Sequence, residues 1–178
     1  MARPSTRHQI VAAALRTFAE AGPEATIDAV ARTAGVTKQG VLYHFADKAQ
    51  LRQAMLAAVL ERFEQRITQV GSRPFGEQSV AERIRNYARA IATSTTSPAE
   101  AALVAQLTTH PVAAGAYSGW VASHFEPEAT TPPSLRARLA AAWLAATGLW
   151  SARATAPAPL ESEAVAEVLG VIEGLTAS

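Results

Sequence analysis

Apolar positions recur with helical spacing along nearly the whole chain, and short polar punctuations divide them into separate runs. Ile27, Val30, Ala31 and Ala34 stand at i, i+3, i+4 and i+7, which predicts one apolar stripe on a short helix capped by Thr26. Gly35 predicts its end, because glycine accepts the left-handed conformation a tight turn demands. Thr37 is placed to cap a following helix on which Val41 and Phe45 face inward, leaving Lys38, Gln39, Tyr43 and His44 on other faces. Upstream, Val11, Leu15 and Phe18 predict a helix from Ser5 to about Ala21, stopped by Gly22 and Pro23 and packed under the hairpin, behind a basic tail over residues 1–4.

Downstream the runs lengthen. Asp47 and Gln50 have capping-box spacing, and Leu51, Met55, Val59, Phe63 and Ile67 then step by four to about Val70. A helix of about 23 residues spans about 34 Å, enough to act as a lever. Residues 71–78 read as a linker, and Ser79 with Glu82 forms a second capping box. The helix it opens has Val80, Ile84, Tyr87 and Ile91 inside and Arg83, Arg85 and Arg89 outside, fraying over residues 93–96. Ser97-Pro98-Ala99-Glu100 starts a short helix to Thr108, broken at His110-Pro111. Val112 to Phe125 reads as a helix with Val112, Ala116, Trp120, Val121 and Phe125 on one side. A proline-rich loop over residues 126–133 precedes two strongly apolar helices, Ser134 to Thr155 and Leu160 to Leu175.

These runs predict an all-α fold of about nine helices, with a three-helix module at residues 1–50 and a helical bundle at residues 51–178. The last two helices are apolar around much of their circumference, which calls for burial on several sides. A second copy of the chain would cover the outer face, giving a homodimer through residues 134–155 and 160–175. The alternative is a monomer with an alanine-rich surface.

Charge sharpens the picture. The 178-residue chain has net charge +1, yet residues 1–52 hold seven basic against four acidic side chains, while the remainder holds nine against eleven. The cationic surface therefore lies on the N-terminal unit, where phosphates would be met. There is no cysteine, and the four histidines (His8, His44, His110, His124) show no metal-ligand spacing. Neither a phosphate loop nor a nucleophile elbow is present, so no cofactor or metal is expected. No leader or membrane-spanning run is seen, and a cytoplasmic location is expected.

The run Gly35 to Leu51, GVTKQGVLYHFADKAQL, resembles the DNA-binding signature of TetR-type bacterial transcriptional regulators, in which the recognition helix ends in a Tyr-x-His-Phe-like segment followed by a lysine-containing cap. It departs from many members in carrying Leu42 before Tyr43, so one phosphate-contacting ring is missing. The resemblance implies a homodimeric, ligand-responsive repressor, released from a palindromic operator by a small effector. Lys38 and Gln39, beside Thr37, are then placed to read bases, with Thr26, Tyr43, His44 and Lys48 on phosphates. Met55, Phe63, Tyr87, Trp120, Trp143 and Trp150, with His110 and His124 as polar groups, are candidates for an apolar effector pocket. Three alternatives stay open: an ordinary all-α core in which Tyr43, His44 and Phe45 are packing groups, a purely structural helical adaptor, and a small all-α enzyme using His110 or His124.

Overall fold

The computed structural model describes residues 5–93, 98–155 and 161–177, and among these it holds nine α-helices and no strand. They are α1 (Thr6–Ala21), α2 (Ile27–Ala34), α3 (Lys38–His44), α4 (Lys48–Val70), α5 (Val80–Thr93), α6 (Pro98–Thr108), α7 (Pro111–Phe125), α8 (Pro133–Thr155) and α9 (Ser162–Thr176). The tail at residues 1–4, the fraying over 94–96, the Ser97 cap and the expected helix start at Leu160 lie outside the described residues. Two compact units emerge, residues 1–60 with 102–117 and residues 61–101 with 118–178, and the division falls inside α4, α6 and α7.

Local chemistry explains where most helices start. Ser5, Thr26 and Thr37 each accept a hydrogen bond from the backbone N–H three residues on, at His8, Ala29 and Gly40. Each such cap contributes about 1 kcal/mol. The Ser79–Glu82 capping box closes reciprocally: Ser79 N donates to Glu82 Oε2 at 2.7 Å, and Glu82 N donates to Ser79 Oγ at 3.2 Å. At α4 only half of the expected box forms. Gln50 N donates to Asp47 Oδ1 at 2.8 Å, but the Gln50 side chain reaches past Asp47 and accepts from Ala46 N at 3.1 Å.

In the first unit the core comprises Ile10, Ala14, Leu15 and Phe18 of α1, Val30 and Ala31 of α2, Val41 of α3, and Phe45, Leu51, Met55 and Leu56. Thr17 adds a polar link between α1 and α2, donating to Ala13 O and to Thr33 Oγ1. In the second unit the buried set includes Phe63, Ile67, Phe75, Ile84, Tyr87, Ile91, Phe125, Leu139, Ala142, Ala146, Leu149 and Ile172.

Three expectations are corrected by packing. Arg83 and Arg85 do not form a solvated outer face on α5. Arg83 donates to the carbonyls of Phe75, Gly76 and His124, and Arg85 donates to Thr176 O, so both tie α5 to its neighbours. Residues 71–78 are more than a linker, because a turn of 3-10 helix at Phe75–Glu77 buries the Phe75 ring. On α7 the buried small residue is Ala113, whereas Val112 and Ala116 are exposed; only the Trp120, Val121 and Phe125 end follows the expected stripe.

Candidate nucleic-acid interface

The turn between α2 and α3 is built by backbone geometry that its glycine permits. Gly35 adopts φ 67 and ψ 31, and an added Cβ would meet nothing within 4 Å, so left-handed backbone rather than space is what selects glycine there. Gly35 N donates to Arg32 O at 3.2 Å and Val36 N to Ala31 O at 3.0 Å, the paired bonds of a Schellman ending. Thr37 then begins α3 at once. Val41 is fully buried and Phe45, which ends α3 in extended backbone, is 1% exposed. Burial of two such side chains contributes about 1.5–3 kcal/mol each, which fixes the rotation of α3 about its own axis.

That rotation decides which side chains reach solvent. Thr37, Lys38, Gln39 and Leu42 are exposed, and Tyr43 is the most exposed large ring at 87%. The Tyr43 and His44 rings meet edge to face at 5.2 Å, with His44 half-buried. Lys38 is held by Asp28 of α2, Nζ to Oδ2 at 2.9 Å. Thr26 is exposed, its hydroxyl oxygen engaged as a cap.

Lys48 is half-buried. Its ammonium lies 5.5 Å from the Phe18 ring, and the Arg52 guanidinium lies 5.9 Å from the same ring. Burial, then the neighbouring Arg52 charge, hold the Lys48 pKa below its ordinary 10.5, while Glu24 opposes them. Sequence reading missed Arg52 as a partner, although its i+4 spacing from Lys48 was a usable signal. Arg7 stacks over Phe45 at 4.9 Å and lines an open cleft of about 420 Å³ with His44, Gln50 and Gln53.

The candidate effector residues divide between the units. Met55 and His110 belong to the first, Met55 fully buried and His110 with a buried Nδ1 that has no hydrogen-bond partner. The other six share the second unit and form a chain of ring contacts. Trp150 meets Phe63 at 6.2 Å, Phe63 meets Tyr87 at 6.0 Å, and Tyr87 meets Trp143 at 5.2 Å. Phe125 stacks on Trp143 at 4.2 Å and meets Trp120 at 5.2 Å, and Trp120 meets His124 at 5.6 Å. Trp120 Nε1 donates to Glu64 Oε1 at 2.7 Å, and His124 Nδ1 is 2.8 Å from Trp120 O. Phe75 and Glu64 belong to this cluster and were not anticipated: Phe75 sits in what reads as a polar linker, and Glu64 looks like an ordinary surface acid on α4.

A capped helix-turn-helix followed by an all-α bundle with a contiguous ring cluster defines a helical regulator architecture. The chain belongs to the TetR family of bacterial regulatory proteins: residues 10–55 match the family's N-terminal model and residues 81–177 match the tetracyclin repressor-like C-terminal domain. Two curated relatives from Pseudomonas putida match a 54-residue segment that is 30% of this chain. The HTH-type transcriptional regulator TtgW is 48% identical there and the regulator SrpR 46%, the segment spanning 40% and 25% of their lengths. The fold is similar along nearly the whole chain to solved regulators. One from a Rhodococcus species has TM-score 0.68 at 18% identity, covering 97% of this chain and 96% of that one. One from Streptomyces coelicolor has TM-score 0.68 at 23% identity, covering 98% and 100%. The multidrug binding protein EbrR, complexed with malachite green, has TM-score 0.65 at 22% identity, covering 95% and 98%.

Proposed function

We propose that this chain is a homodimeric, ligand-responsive transcriptional repressor. Residues 1–50 bind operator DNA, and residues 51–178 hold a small effector and the dimer contact. The observation that carries the reading is the anchoring of α3: Val41 and Phe45 are buried while Thr37, Lys38, Gln39 and Tyr43 stand exposed on the outer side of the same short helix. In a two-fold dimer the two α3 helices enter successive major grooves of a palindromic site. Lys38 and Gln39 read base edges, lysine favouring guanine and glutamine adenine. Thr26, Tyr43, His44 and Lys48 position the protein on phosphates.

Support for the dimer comes from α8 and α9, whose Leu144 and Val171 are 68% and 59% exposed. Exposed Ala140, Ala141 and Gly148 of α8, with Gly170 and Gly174 of α9, would let a partner's helices approach closely. The effector is a small, mostly apolar molecule held among the rings of the second unit. Its binding shifts α4 and hence the spacing of the recognition helices. Reversal of a 99:1 operator-bound balance requires about 5.5 kcal/mol of preference for the released state. No enzymatic activity is assigned. Among the described residues no helix is long and apolar enough to cross a membrane, which accords with a cytoplasmic regulator.

The test is selection of operator sequences from a random duplex pool by the full chain, repeated with Gln39→Ala. The expected result is a palindromic site, with one position per half-site losing its adenine preference in the variant, a cost of about 1–3 kcal/mol. An unselective pool, or a preference unchanged at every position, would overturn the assignment.

A further inference from the structure

Two buried N–H donors in the second unit have no hydrogen-bond acceptor: the indole Nε1 of Trp150 in α8 and the guanidinium Nε of Arg66 in α4. Both groups flank one ring. Trp150 meets Phe63 edge-on, at 6.2 Å and 75°, and the Arg66 Cζ lies 4.5 Å from the Phe63 centroid. Glu100 engages Arg66 from the end, with Nη1 to Oε2 at 3.1 Å and Nη2 to Oε1 at 2.5 Å. The side edge of the guanidinium, which carries the Nε hydrogen, is therefore left unanswered. Native proteins seldom leave buried donors without acceptors, because each has given up water for nothing in return.

We infer that these donors form the polar end of the effector site and that the effector brings a neutral carbonyl oxygen to them. The inference rests on the proposed effector-binding role of the second unit. Neutrality follows from charge. Arg66 and Glu100 are both half-buried, with side chains 24% and 19% exposed, and already balance one another. An incoming carboxylate would set two anions against one cation in a site poorly screened by water, whereas a carbonyl answers a donor without adding charge. The body of the molecule is apolar and aromatic, because Phe63 continues directly into Tyr87 and Trp143. Effectors of this class are aryl ketones, esters, lactones and amides.

The test uses three probes of similar bulk on the full-length protein: benzophenone, diphenylmethane, which lacks the oxygen, and diphenylacetate, which carries a carboxylate. Binding is followed by calorimetry and by the three indole N–H resonances in 15N-labelled protein. Benzophenone is expected to bind about tenfold tighter than diphenylmethane, the worth of one satisfied donor. It should shift the Trp150 indole resonance while diphenylmethane leaves it in place. Trp150→Phe keeps an aromatic ring and loses one of the two donors, so the preference for benzophenone should shrink to what the Arg66 Nε donor alone supports. The inference is overturned if benzophenone does not bind at millimolar concentration, if the two probes bind wild type equally, if the preference is undiminished in Trp150→Phe, or if diphenylacetate binds tightest. Should Trp150→Phe fail to fold, the Trp150 resonance of the wild-type protein decides the question alone. Operator release is measured separately. Trp150-dependent ketone binding without release leaves the acceptor site standing and removes its effector role. Release by apolar molecules with no Trp150 dependence does the reverse.

Discussion

Lys38, the first residue of α3, donates to Asp28 near the start of α2 across 2.9 Å, and both side chains remain about half exposed. The bond joins the two helices of the hairpin on the side that the proposed interface presents to DNA. An exposed pair of this kind contributes about 0–1 kcal/mol to stability, so its consequence lies in recognition. For Lys38 to meet a base as proposed it would have to leave Asp28, and the acid would repel phosphate.

Asp28→Asn is therefore expected to leave the melting temperature nearly unchanged and to tighten binding to non-specific duplex DNA. Fluorescence anisotropy across a salt series checks it. Weaker binding by Asp28→Asn would show that the pair is needed to hold α3 in place.

Lys48 shares the Phe18 ring with Arg52, and burial, then the Arg52 charge, lower its pKa from the ordinary 10.5. Replacement by alanine should weaken operator and random DNA about equally and reduce the salt slope by about one ion, as loss of a phosphate contact does. A loss confined to the operator would place Lys48 among the base-reading residues.

Leu144 is 68% exposed on α8. If α8 forms the proposed dimer contact, a glutamate at this position would bury a charge in each half of it, and Leu144→Glu should sediment as a monomer. Its affinity for a single half-site should persist while binding to the full palindrome falls. A Leu144→Glu dimer would move the interface off this face.

Ser79 supplies both of the hydrogen bonds that hold the Glu82 carboxyl below its ordinary 4.5, with Arg73 and Arg85 adding to the effect and burial opposing it. A depressed carboxylate contributes stability that is fully present above its unfolded pKa and is lost as pH falls through the folded value. Ser79→Ala should accordingly lower stability by about 1 kcal/mol at neutral pH. Thermal melts from pH 7 to 3 should show the gap to wild type narrowing once the pH drops below the ordinary carboxylate range. A gap that stays constant across this range would mean that the Ser79 hydroxyl does not stabilise the Glu82 charge, the Ser79 N–H bond to it being kept in the variant.

The helices themselves, and the caps at Thr26, Thr37 and Ser79, were legible from residue order, because a capping bond links positions three apart and a stripe needs only a period. Gly35 was legible for the same reason, since one residue's backbone angle suffices to end α2. The exposed set Lys38, Gln39 and Tyr43 followed once Val41 and Phe45 were placed inward. Long-range partners were not legible in this way. That Arg83 and Arg85 would serve distant carbonyls at His124 and Thr176, that Phe75 would enter the core from a polar stretch, and that Lys38 would face Asp28 depended on which helices pack together. Local periodicity assigns each side chain a face; it does not say whether that face meets water, a carbonyl or another ring. Only tertiary packing decided this, and it alone left the Trp150 and Arg66 donors buried beside Phe63 without acceptors.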